Sequence, residues 1–214
     1  MSTKAFEDRR WTTTPQKQEF RHDMASALTP PGTALDVGCG DGLLLQMLRE
    51  KNIRVVGVDI SDVAVTLCRE KGFDVEKCDF TAEPLPYRDN SFDTVVALDV
   101  LEHVYSPEVL LAEMNRVAKS AIVISVPNFA SLPARIQVAR GQVPENNTPN
   151  KGHLYWFTWS VLTDLLQKEN LVLDECSFNT MWESVPVLGF IMKRMARWNP
   201  SLFALSFVVR CKKA

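Results

Sequence analysis

Asp36-Val37-Gly38-Cys39-Gly40-Asp41-Gly42 is the stretch of this chain best suited to hold a ligand. It follows a short apolar run, Ala34–Val37, and precedes Leu43–Glu50, where apolar residues recur at helical spacing. A glycine bend between strand and helix brings backbone close to a ligand without interference from Cβ atoms. It also falls where open α/β sheets bind ligands, at the carboxyl ends of the strands. Two further acids occupy matching places. Asp59 ends the apolar run Ile53–Val58, and Asp79, with Phe80 beside it, follows Phe73–Lys77.

Residue types narrow the ligand. A dinucleotide fingerprint needs a third glycine where Leu43 stands, and Asp41 at the start of the next helix repels a pyrophosphate. No Gly-Lys pair exists for a phosphate-cradling P-loop. Carboxylates suit neutral hydroxyl and amino donors instead. With strands ordered 3-2-1-4, the tips bearing Asp36, Asp59 and Asp79 line a shelf of roughly 10–15 Å. A nucleoside with a short amino-acid tail matches that length. On this reading Asp59 accepts from both ribose hydroxyls, Ile60 packs on the adenine face, and Asp79 accepts from the adenine amino group.

The elements that must position these residues alternate in a regular way. Thr14-Pro15 reads as a cap and first turn, so the pattern predicts a helix over 15–28. From residue 33 apolar strands alternate with amphipathic helices. Ser61 caps a helix reaching Lys71, Thr94–Leu98 is a strand, Ser106-Pro107 opens a helix to Ala118, and Ala121–Val126, apolar but for Ser125, is another strand. Thr158 caps a helix to Lys168, followed by strands Leu171–Phe178 and Phe203–Arg210. This alternation implies parallel βαβ units with helices on both faces of one sheet. Segments 129–152 and 179–201 interrupt it. We therefore expect a single domain over 1–214, with an N-terminal helical segment (1–31) and two cap insertions on one sheet.

Composition excludes several classes. The chain has 214 residues, 46% hydrophobic and 23% charged, with a formal net charge of −2. This is a globular balance with no basic excess for a nucleic-acid backbone. No apolar stretch approaches the roughly 18 residues of a membrane helix, and Met1–Trp11 lacks an apolar signal region. Five cysteines without a CxxC pair point to neither a disulfide framework nor a zinc site. Cytoplasmic location and no bound metal are the expectations, with all five thiols inert and four of them, including Cys176, in or near the core.

At this point the sequence resembles a known family, the class I S-adenosylmethionine-dependent methyltransferases, over Ala34–Ala214. Residues 35–42, LDVGCGDG, are similar to that family's first motif, Asp59-Ile60 to its ribose and adenine contacts, and Asp79-Phe80 to its adenine-edge contacts. Phe92-Asp93 through Leu101-Glu102-His103 resembles the fourth-strand motif of ubiquinone O-methyltransferases. The resemblance implies S-adenosylmethionine as cofactor, with Asp36, Gly38, Cys39, Gly40 and Gly42 around it and Leu98 and Asp99 at its methionine part. It also implies a Rossmann-like fold, a seven-stranded, mostly parallel sheet whose last strand is antiparallel. A narrower resemblance, in Ser125-Val126-Pro127-Asn128-Phe129 and His153, is to MetW-like proteins of methionine biosynthesis. It implies a link to homoserine acylation, and action as a partner of an acyltransferase without turnover of its own.

Methyl transfer from a sulfonium is a direct displacement whose leaving group needs no proton. Alignment can supply roughly 7–11 kcal/mol, against roughly 3–5 kcal/mol from a general base. If a base acts, His103 is the first candidate; the other reading is a histidine that bonds backbone. His153, Tyr155 and Arg135 are candidates for the acceptor side, and a structural hydrogen bond is the competing role of His153. His22 reads as solvated. Segments 129–152 and 179–201 together carry six basic and two acidic residues, which suits an anionic or partly apolar small acceptor or, equally, a solvated face. Val185–Trp198 interleaves apolar and basic residues and can line a pocket, rest on a membrane, enter a homodimer or pack on its own sheet.

Overall fold

The computed structural model describes residues 3–13, 17–145, 148, 151–183 and 185–214. Seven strands form one sheet: β1 (Thr33–Val37), β2 (Arg54–Asp59), β3 (Val75–Lys77), β4 (Phe92–Leu98), β5 (Ala118–Pro127), β6 (Leu171–Thr180) and β7 (Ala204–Lys213). Their order is β3-β2-β1-β4-β5-β7-β6, with β7 antiparallel to both neighbours and the other pairings parallel. This is the seven-stranded, Rossmann-like arrangement implied by the family resemblance.

The central strands are buried on both faces, so they read as continuous apolar runs. Ala34, Val96, Val123 and Val208 face helices α2 (Phe20–Leu28) and α3 (Leu43–Glu50). Leu35, Val95, Ile122 and Phe207 face α5 (Pro107–Val117) and α7 (Trp159–Lys168). Alternate residues of each strand thus serve opposite helical layers. Between β2 and β3, α4 (Asp62–Glu70) begins at Ser61, whose hydroxyl accepts the Ala64 amide at 3.2 Å.

The N-terminal region departs from the expected helix over 15–28. Thr14 and Pro15 lie outside the described residues, and α2 starts at Phe20 with Glu19 as its cap. His22, expected to be solvated, is buried, and its Nδ1 accepts the Glu19 amide at 3.1 Å in a reciprocal capping box. A further helix, α1 (Thr3–Thr13), lies ahead of it. The two interruptions of the sheet pattern hold α6 (Leu132–Ala139), and α8 (Pro186–Trp198) with the short α9 (Pro200–Phe203). On α8, Gly189, Met192 and Ala196 are buried while Val187, Phe190, Ile191 and Trp198 face outward. Cys176 is exposed on the edge strand β6, unlike the other four thiols. No helix among the described residues is long and apolar enough to cross a membrane.

Candidate functional site

Parallel pairing of β1 with β2 sets Val37 beside Val58, which puts Asp36 and Asp59 at adjacent strand ends. The bend after β1 is then pinned from β2. The amides of Gly38 and Cys39 donate to the Val58 carbonyl at 2.8 and 3.2 Å, and the Asp59 carboxylate accepts the Gly40 amide at 2.9 Å and the Ser61 amide at 2.8 Å. Gly38 has φ +75°, and a Cβ there would lie 2.6 Å from Cγ2 of Val100, so only glycine lets the chain pass that close. Burial raises the Asp59 carboxyl, against the pull of the Ser61 and Gly40 amides. Asp36 is more deeply affected: burial, and then the neighbouring Asp59, push it up to about 8.

Above these tips lies a cavity that is open to solvent. Of the residues expected at the cofactor, Gly38, Asp59, Ile60, Phe80, Leu98 and Asp99 line it, as does His103. Asp36, Cys39, Gly40 and Gly42 do not line it. Asp79 does not line it either. Its carboxylate accepts from the Thr81 amide at 3.2 Å and the Thr81 hydroxyl at 2.5 Å, which shapes the turn presenting Phe80 and Thr81 to the cavity.

Four lining residues come from the N-terminal helices: Glu7, Arg10 and Trp11 of α1, and Arg21 of α2. The charge density of residues 3–13 gave no amphipathic period by which to find them; Trp11 amid charges was the one hint. Helix α1 is docked by polar contacts. Ser61 donates to Asp8 at 2.6 Å, Lys4 pairs with Asp62 at 2.7 Å, and Phe6 sits against Gly152. Glu7 is buried beside the cavity, and its carboxyl is pushed up to about 7 by burial and more weakly by Asp59 and Asp8.

Asp99 follows β4 with φ +52°. Its amide donates to the carbonyl and hydroxyl oxygens of Ser125 at 3.1 and 3.0 Å, and its carboxylate accepts from that hydroxyl. Arg21 pairs with Asp99 at 3.2 Å. A cation and an anion thus stand side by side facing the cavity.

Leu101–His103 forms a 3-10 turn just beyond. His103 Nδ1 donates to the Gly152 carbonyl at 3.2 Å, and its ring meets that of His153 edge-on at 4.9 Å. Burial and then His153 lower the His103 imidazole to about 4, so it is neutral near pH 7 with Nε2 as its basic atom. His153 is therefore brought to the cavity edge. Tyr155 packs on Phe157, centroids 5.0 Å apart, and the exposed Arg135 donates to the Ala130 carbonyl at 2.7 Å; neither lines the cavity.

Comparison with known proteins bears on the family and the fold. The family model for "Methionine biosynthesis protein MetW" matches residues 19–180. A bifunctional methionine biosynthesis protein MetXA/MetW from Rhodopirellula baltica is 32% identical over 168 residues, covering 69% of this chain and 26% of that one. A ubiquinone biosynthesis O-methyltransferase from Hahella chejuensis is 34% identical over 110 residues, covering 49% of this chain and 45% of that one. The matches thus span less than half the length of either relative. Among solved structures, magnesium protoporphyrin IX methyltransferase from Synechocystis, determined with bound SAH, superposes with a TM-score of 0.67 at 16% identity, covering 98% of this chain and 94% of that one. That likeness establishes the class I methyltransferase fold.

Proposed function

The chain belongs to the MetW family of methionine biosynthesis proteins, and from that premise we propose that it binds S-adenosylmethionine at the strand tips and methylates a small-molecule acceptor. The observation that carries this reading is one cavity lined both by Asp59, at the end of β2, and by the Arg21–Asp99 pair beyond β4, with β1 between those strands. An ionised carboxylate offers about four acceptor sites. Two are used by the Gly40 and Ser61 amides, which leaves Asp59 able to accept from ribose hydroxyls. Ile60 and Phe80 supply apolar walls for adenine. Arg21 and Asp99 complement the carboxylate and ammonium of a zwitterionic tail.

When bound, the cofactor supplies a sulfonium methyl that a nucleophile can take by displacement. The chain's own part is to hold and enclose. Trp11 and Glu7 cover the cavity from α1 and limit access of water, and the Asp59 clamp fixes the bend against which the ligand rests. His103 presents a neutral imidazole whose Nδ1–H is fixed on Gly152, so Nε2 is the atom able to take a proton from an acceptor hydroxyl. Alignment, worth roughly 7–11 kcal/mol, outweighs that assistance. Segments 129–152 and 179–201 are read as caps on the acceptor side of a single domain, with His153 the acceptor-side residue nearest the cavity.

Incubation with methyl-labelled cofactor and a small-molecule extract tests the proposal: label should move to a small product in the presence of the chain. A second reading is favoured by the Rhodopirellula relative, where the matching segment is part of a MetXA/MetW chain. In that reading the cofactor is bound but not turned over, and the chain serves as partner to an acyltransferase. It predicts co-purification with that enzyme and no release of S-adenosylhomocysteine.

A further inference from the structure

We propose that Glu102, His103 and His153 form a binding site for a divalent first-row metal ion at the edge of the cavity. One donor atom from each lies within 4.8 Å of the others, and His153 Nε2 is 3.9 Å from Glu102 Oε1. These residues come from places about fifty positions apart, yet their juxtaposition is held by backbone. The Glu102 carbonyl accepts the amides of Leu154 and Tyr155 at 2.7 and 3.0 Å, and His103 Nδ1 donates to the Gly152 carbonyl at 3.2 Å. The segment carrying His153 is thereby clamped onto the turn carrying the other two ligands.

The second observation is the Glu102 carboxyl itself. The residue is 1% exposed, both side-chain oxygens are buried without a hydrogen bond, and no Lys or Arg among the described residues forms an ion pair with it. Buried polar groups are nearly always satisfied, so two orphaned oxygens facing an imidazole call for an occupant. The His103 contact is also the kind that orients a metal ligand, since donation from one ring nitrogen to a backbone carbonyl fixes the tautomer and leaves the other nitrogen's lone pair free.

Two imidazoles and one carboxylate select the class of ion. The set suits Zn²⁺, Fe²⁺, Co²⁺ or Mn²⁺ and is poor for Mg²⁺ and Ca²⁺, which prefer oxygen. Three protein ligands leave coordination positions open. His103 lines the cavity, so those positions face it, where they can hold an acceptor's hydroxyl or carboxylate oxygen. That last step rests on the methyl-transfer reading, and with an ion on Nε2 the ion replaces His103 as the group that activates the acceptor; the ion site itself does not rest on that reading. The cysteine pattern had argued against metal, but it addresses thiolate sites only.

The test is titration of the chelator-treated full chain with Co²⁺, followed by visible absorption and calorimetry, with no cofactor present. We expect one equivalent to bind with d–d bands of nitrogen and oxygen coordination, and Zn²⁺ to displace it. Glu102→Gln and His153→Ala should each weaken binding by at least about tenfold, with circular dichroism confirming the fold. If Glu102→Gln does not fold, His153→Ala, whose side chain is less buried than that of Glu102, decides. Absence of saturable binding by the parent chain, or equal affinity in His153→Ala, would overturn the site. Since cofactor binding is measured separately, either result leaves the methyltransferase reading to its own experiment.

Discussion

Asp59 accepts the backbone amide of Gly40 at 2.9 Å, across nineteen residues of chain, and so fastens the end of β2 to the glycine bend after β1. Its other oxygen takes the Ser61 amide at 2.8 Å, which starts α4. Asp59 is therefore structural before it is a ligand contact. Asp59→Ala leaves two amides without that partner and should cost about 1–3 kcal/mol of stability per orphaned group, read by denaturant unfolding. Asp59→Asn, which keeps one acceptor oxygen, should lose less.

The bend tolerates no side chain at Gly38. Gly38→Ala places Cβ against Val100 Cγ2 and holds alanine at φ +75°. The left-handed backbone alone should cost about 1–3 kcal/mol. Combining it with Val100→Ala removes the clash but not the strained φ, so thermal melts of the double variant should show only partial recovery of the bend. Full recovery to the parent's melting temperature would mean that the backbone conformation there carries no strain.

The amino-acid tail of the cofactor gives Arg21 a selective signature. Arg21→Ala should weaken S-adenosylhomocysteine at least about tenfold, or about 1.4 kcal/mol, and leave methylthioadenosine, which has no such tail, unchanged. Equal losses for both ligands in calorimetry would assign Arg21 a structural role through Asp99 instead.

Docking of α1 should depend on pH. The Glu7 carboxyl has an ordinary value of 4.5 and is raised to about 7 by burial when the helix is docked. The docked helix then keeps a proton that the released helix gives up, so docking is most favoured below pH 4.5 and weakens as pH rises toward 7. The difference amounts to about 3 kcal/mol. Hydrogen exchange of the α1 amides, corrected for intrinsic rates, should rise across that window. Glu7→Gln should flatten the dependence; the same slope in that variant would point to another group.

Much of this architecture is visible in residue types, for a physical reason. Strands such as Ala121–Ile124 are buried on both faces and are apolar throughout, and helix starts such as Thr158 carry their own caps. What sequence could not show depends on partners distant in the chain. Helix α1 has no continuous apolar stripe: besides Phe6 and Trp11 it docks through Asp8–Ser61 and Lys4–Asp62. His22 looked solvated because burial of its ring follows from α2 packing on the sheet, whereas Cys176 is apolar in type but stands on an edge strand. Asp59 and Asp79 look alike, each just past a strand. Yet Thr81, two residues on, draws the Asp79 carboxylate into a turn, while Asp59 reaches the bend. The Glu102–His103–His153 cluster was hidden for the same reason, since nothing local announces that residue 153 returns to residue 102.

The most direct measurement is calorimetric titration of S-adenosylhomocysteine into the intact chain. The account requires one molecule bound per chain with micromolar or tighter affinity, and a loss of about 2 kcal/mol or more in Asp59→Ala that remains folded. A flat thermogram with the parent chain would contradict it.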